Sequence, residues 1–112
     1  MSTNMTRRFS LELEDRGEQH DVDWAAVVAG LGEAAAADAY FILADASDAS
    51  GMTYMQGVPT TDDQPWTIEF QGGSLDDHWT TQVPGGTAMQ ILRTWMTTGD
   101  WRSWAHWVRL RL

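Results

Sequence analysis

The chain has no cysteine, no lysine and no long uninterrupted apolar run. Without cysteine it can form no disulfide framework, no thiolate metal centre and no cysteine nucleophile. Its alanine-rich stretch from Ala25 to Ala44 is broken by Gly30, Gly32, Glu33 and Asp38, which excludes a membrane-spanning helix there. The opening "MSTNMTRRFSLELE" lacks the apolar centre of a signal peptide, so a soluble, cytoplasmic protein is expected. Catalytic signatures are missing too: the sequence holds no Walker-type phosphate loop, no G-x-S-x-G elbow, no H-E-x-x-H and no glycine-rich dinucleotide turn. An enzyme is therefore not expected, and neither is a cofactor.

What remains is 112 residues, 43% hydrophobic and 11% aromatic, enough for one compact domain over 1–112 with its own core. The net charge of −9 is unevenly spread. Fifteen of the sixteen acids lie between Glu12 and Asp77, whereas the seven arginines cluster near the two ends, with only Arg16 between. This distribution repels phosphate backbones and anionic membranes, and it would attract a basic protein at an enhanced rate. Solubility alone accounts for the same acidity equally well.

Periodicity yields an order of elements. In "RRFSLELED", Phe9, Leu11 and Leu13 alternate with polar residues, the period of a half-buried strand, and "DRGEQHD" follows as a polar loop. Asp23 can cap a helix with Trp24, Val27, Val28 and Leu31 on one face, weakened at its far end by Gly30 and Gly32. "AYFILA" predicts a strand buried on both faces. "MTYMQGV", "WTIEF" and "HWTTQV" continue a meander, separated by the turn clusters "DASDASG", "PTTDDQP" and "QGGSLDD". Thr87 and Gln90 have capping-box spacing ahead of Ala88, Ile91, Leu92, Trp95 and Met96, and Gly99 is the expected left-handed stop. "HWVRLRL" predicts a last strand with Val108, Leu110 and Leu112 inward, its arginine face able to lie beside Glu12 and Glu14. The expected fold is α+β, a mostly antiparallel sheet of about five to six strands in the order β-α-β-β-β-β-α-β with two helices packed on it.

Chemistry-bearing clusters are few. Asp76, Asp77 and His78 are potential metal donors, but neighbours on a strand point to opposite faces, so this triplet cannot wrap an ion unaided; a solvated turn is expected and no metal. Paired acids such as Asp62 and Asp63 would serve a glycosidase only within a cleft. Of the seven tryptophans, Trp24, Trp66 and Trp95 fall on apolar faces and are expected in the core. Trp101, Trp104 and Trp107 follow the helix stop, where at least two should pack and an exposed one could anchor a partner.

The C-terminal two-thirds, roughly Tyr40 to Leu110, resembles an immunity-protein family of bacterial polymorphic toxin systems, the family containing the antidote to a double-stranded-DNA cytidine deaminase toxin. The resemblance rests on the tyrosine-containing strand "MTYMQGV", the acidic strand with glycines "WTIEFQGG", a Pro-led amphipathic helix ending in "TTGD", and the closing "WAHWVRL". Where that family pattern leads one to expect proline after Gly99, this chain has "DWRSW". The resemblance implies an antitoxin that binds and blocks a cognate toxin domain, with no catalytic residue of its own. Partner contacts are then expected from the acidic turns, Asp45, Asp48, Asp62, Asp63, Asp76 and Asp77, and from Trp101 and Trp104. Two other classes fit the same residues: a ligand-binding protein or enzyme with a tryptophan-walled pocket, and an acidic DNA mimic.

Overall fold

A computed structural model of the chain describes residues 7–60 and 64–110. It contains β1 (Phe9–Leu13), β2 (Gly17–Gln19), α1 (Trp24–Ala37), β3 (Phe41–Asp45), β4 (Thr53–Val58), β5 (Trp66–Gly72), β6 (His78–Val83), α2 (Gly85–Met96) and β7 (Val108–Arg109). The strands form one sheet in the order β2-β1-β3-β4-β5-β6-β7, every neighbouring pair antiparallel. The α+β architecture is as expected, with seven strands rather than five or six.

The added strand lies in the segment read as the polar loop "DRGEQHD". The Arg16 N–H donates to the Leu13 carbonyl, closing a turn, and Gly17 follows with φ 74°. A turn followed by a left-handed glycine reverses the chain into a hairpin, so Gly17–Gln19 returns along β1.

Register settles which residues face the helices. Leu11, Leu43, Met55, Phe70 and Trp79 form one row across β1, β3, β4, β5 and β6. Val27, Leu31 and Ala34 of α1 and Ala88, Ile91, Leu92 and Trp95 of α2 are buried in the same core. Both helices therefore cover one face of the sheet. Val28 is exposed, so the stripe of α1 is narrower than its sequence suggests. Gly30 also seats that helix: a Cβ there would come 2.6 Å from Leu11 Cδ2, so the bare backbone allows α1 to lie close on β1.

The helix ends obey local chemistry. The Asp23 carboxylate accepts from the Ala26 N–H at 2.9 Å, the expected cap. α1 closes with left-handed Asp38, and the Ala39 N–H donates to the Ala34 carbonyl. α2 begins two residues ahead of Thr87, at Gly85, with Pro84 preceding it and no side-chain cap, so the capping box is not formed. Its left-handed stop is Thr98, φ 61°, rather than Gly99, whose N–H donates to the Thr94 carbonyl at 2.8 Å.

Two further expectations are corrected. β3 buries Phe41 and Leu43 but leaves Ile42 and Ala44 only partly covered, because no described helix lies on their side of the sheet. β7 pairs with β6, not β1, and its alternation is inverted: Trp107 packs toward the core and Val108 is exposed. The Arg109 guanidinium donates to the Asp76 carbonyl instead of meeting Glu12 or Glu14. Leu112 and Arg111 lie outside the described residues.

The tryptophans mostly close the core. Trp66 and Trp95 are buried, and Trp24, Trp79, Trp101 and Trp107 pack against the buried cluster. An aromatic chain runs from Phe9 through Trp95, Phe70 and Trp101 to Trp107, with ring centroids 5.3, 6.1, 4.5 and 5.1 Å apart. Arginines cap it by cation–π contact: Arg7 lies over Phe9 and Trp95, and Arg102 over Phe70, Trp79 and Trp101.

Candidate functional site

The sheet face opposite the helices carries the even-numbered residues of β1, β3, β4 and β6 and the odd-numbered residues of β5. One row is Ser10, Ala44, Tyr54, Gln71 and His78; the next is Glu12, Ile42, Gln56, Glu69, Thr80 and Val108, with Glu18 of β2 opposite Glu12. No strand position on this face holds an arginine. Glu18 meets His20 Nδ1 at 3.2 Å at the exposed sheet edge.

Side chains on this face are tied to one another. The Tyr54 hydroxyl donates to Gln71 Oε1 at 2.6 Å, and His78 Nε2 lies 3.1 Å from Glu69 Oε1. The Tyr40 hydroxyl donates to Glu12 Oε2 at 3.2 Å. That hydrogen bond, some burial and the charges of Glu12 and Glu14 push the Tyr40 phenol above its usual range. Burial, with the charge of Glu69, raises that of Tyr54 as well. Both tyrosines are therefore neutral donors at physiological pH.

His78, read from sequence as part of a solvated turn, is instead the first residue of β6 and only 7% exposed. Nε2 is taken up by Glu69, and Nδ1 is buried with no hydrogen-bond partner among the described residues. A general base needs a ring nitrogen within reach of a substrate proton, and neither nitrogen here is open to one. Among the described residues no group of three His, Asp or Glu side chains is placed to hold a metal ion.

Two of the three acidic turns fall at one end of the sheet, since the β3–β4 and β5–β6 connections leave on the same side; the Gly73 N–H donates to the Met52 carbonyl across them. Most of their carboxylates are already engaged. Asp45 accepts from Arg7 Nε at 3.1 Å, from the Ser47 N–H at 3.0 Å and from the Ser47 hydroxyl. Asp48 accepts from the Thr53 hydroxyl and from both the hydroxyl and N–H of Ser50, which together hold its carboxyl below the usual range. Asp77 accepts from Trp79 Nε1 at 2.6 Å and faces Arg102 at 3.9 Å. Asp76 alone of these four offers a carboxylate with no partner among the described residues. Asp62 and Asp63 lie outside the described residues.

Trp101 is packed between Phe70 and Trp107, whereas Trp104, in the 3-10 turn Arg102–Trp104, is 49% exposed. The structure thus brings Asp45, Asp48, Asp76 and Asp77 to one end and places Arg102, beside Trp101, against Asp77. It gives most of these residues work inside the fold. Sequence reasoning gave Glu12 only a cross-strand role and did not single out Tyr40, Gln56 and Glu69 as site residues; all four share the uncovered face. Their signal was the polar half of each strand's alternation, and only register shows that those halves align.

Shallow cavities lined by described residues indent the surface. One of about 260 Å³ lies between the β1–β2 turn and α1, beside Arg16 and Glu33. Another of about 460 Å³ runs along the outer edge of β6 beside Thr80, Gln82 and His106. The third, about 280 Å³, is on the uncovered face, lined by Tyr40, Ile42, Gln56, Val58 and Glu69 among others. No described helix is long and apolar enough to cross a membrane. No family model, no curated protein and no solved structure matches the chain.

Proposed function

We propose that this chain is an immunity protein that binds a cognate, basic, nucleic-acid-processing toxin domain and blocks it by contact. The observation that carries this reading is the helix-free sheet face, where Glu12, Glu18 and Glu69 stand without an arginine among them. Such a face is attracted to a partner rich in Lys and Arg and repelled by nucleic acid itself. Two observations support blocking rather than turnover: the buried ring of His78 and the engagement of Asp45, Asp48 and Asp77 by groups of the fold itself. In this reading the partner-facing residues move from the acidic turns to the sheet face, with the exposed Asp76 of the β5–β6 turn free to contribute.

Co-expression tests the proposal. The chain should restore growth to cells producing the basic toxin domain encoded beside its own gene. Failure both to bind and to protect against every neighbouring toxin domain would remove the immunity reading. Binding of a small molecule in a tryptophan-walled pocket, or of a DNA-binding enzyme in competition with DNA, would replace it with one of the other two classes.

A further inference from the structure

We infer that the 280 Å³ pocket on the uncovered sheet face is a receptor for an arginine side chain presented by a basic protein partner. The inference rests on the binding reading above and adds which chemical group the face recognises. The pocket is floored by Ile42 and flanked by Val58, apolar surface suited to the methylene stem of a long cationic side chain. Tyr40 stands at one side, 37% exposed, its ring available to a cation and its hydroxyl held by Glu12. Glu69 stands at the other side. His78 Nε2 occupies Glu69 Oε1, which leaves Oε2 as the free acceptor, and the Gln56 side-chain amide adds another.

This set matches a guanidinium better than an ammonium. A planar cation can stack on a phenol ring and donate in its own plane to carboxylate and amide oxygens, whereas an ammonium is a compact, strongly hydrated point charge. Most of the described arginines are engaged elsewhere: Arg7, Arg102 and Arg109 are bonded to other groups, Arg16 pairs with Glu33, and Arg93 lies over Trp24, while Arg8 is exposed just ahead of β1. Among the described residues no arginine lines this pocket.

The test uses the whole chain and two blocked peptides, hexa-arginine and hexa-lysine, by calorimetry at near-physiological salt. The wild type should bind hexa-arginine about tenfold more tightly than hexa-lysine, the scale of one cation–π contact plus one charge-assisted hydrogen bond after solvation losses. Glu69→Gln, which still accepts from His78, should lose most of that preference. Tyr40→Ala should lose it as well, while Tyr40→Phe keeps it. Asp76→Asn should weaken both peptides equally. Equal affinity of the wild type for the two peptides would overturn the inference, as would a preference that survives both Glu69→Gln and Tyr40→Ala. Either result would leave the immunity reading to the co-expression assay.

Discussion

The rings of Phe70 and Trp101 lie 4.5 Å apart, tilted by 52°, and Trp107 meets the far side of Trp101 edge-on. Trp101 thus continues the core beyond the end of α2 and is not a free anchor. Trp101→Ala should lower stability by about 2–4 kcal/mol, somewhat less than a fully buried aromatic. Trp104→Ala should stay within about 0.5 kcal/mol, as expected for an exposed side chain with no ring partner. Urea denaturation midpoints of the two variants measure the difference, and equal midpoints would show that the aromatic chain does not extend past Phe70.

His78 and Asp76 are two residues apart and differ sharply in surroundings. His78→Ala empties a buried site and strips Glu69 of its partner, an expected loss of about 1–3 kcal/mol. Asp76→Ala removes an exposed carboxylate whose residue contributes through its backbone carbonyl, so little should change. Thermal melts of the two single variants distinguish them.

Asp48 predicts an acid-sensitive β3–β4 turn. Its carboxyl is held below the ordinary range by Thr53 and Ser50, so the folded state favours the ionised form. That contribution is present above the unfolded value near 3.9 and is lost as pH falls through the lower folded value. Asp48→Asn should therefore be less stable than wild type at neutral pH, with the gap narrowing as pH drops toward 2. A gap independent of pH would mean that the hydrogen bonds do not depend on the charge.

Much of the fold is legible in the sequence because strands and helices display their periods directly. The inward rows of β1 and β5, the stripe of α2 and the Asp23 cap all follow from residue spacing. What spacing cannot display is pairing. The Gly17 hairpin depends on a left-handed turn inside a segment with no apolar period, and β7 depends on which sheet edge it joins. "AYFILA" is apolar on both sides, so only the absence of a second helical layer makes Ile42 part of an open face. The acidic turns stand out by composition, yet their side chains mostly hold the turns themselves. The more available carboxylates hid in ordinary strand alternation.

The most direct measurement of the central claim is the affinity of two doubly charge-reversed proteins for a basic toxin domain that the wild-type chain neutralises in co-expression. One carries Glu12→Arg and Glu18→Arg on the uncovered sheet face. The other carries Glu33→Arg on α1 and Asp100→Arg after α2, an equal change in net charge placed elsewhere. Each folded variant is titrated calorimetrically. If the sheet face binds the partner, the first should lose at least about a hundredfold in affinity, because like charges are then forced together in the interface. The second should lose only the few-fold expected from weaker long-range attraction at physiological salt. Equal losses, or a greater loss in the second, would contradict the claim that the uncovered face is where this protein binds.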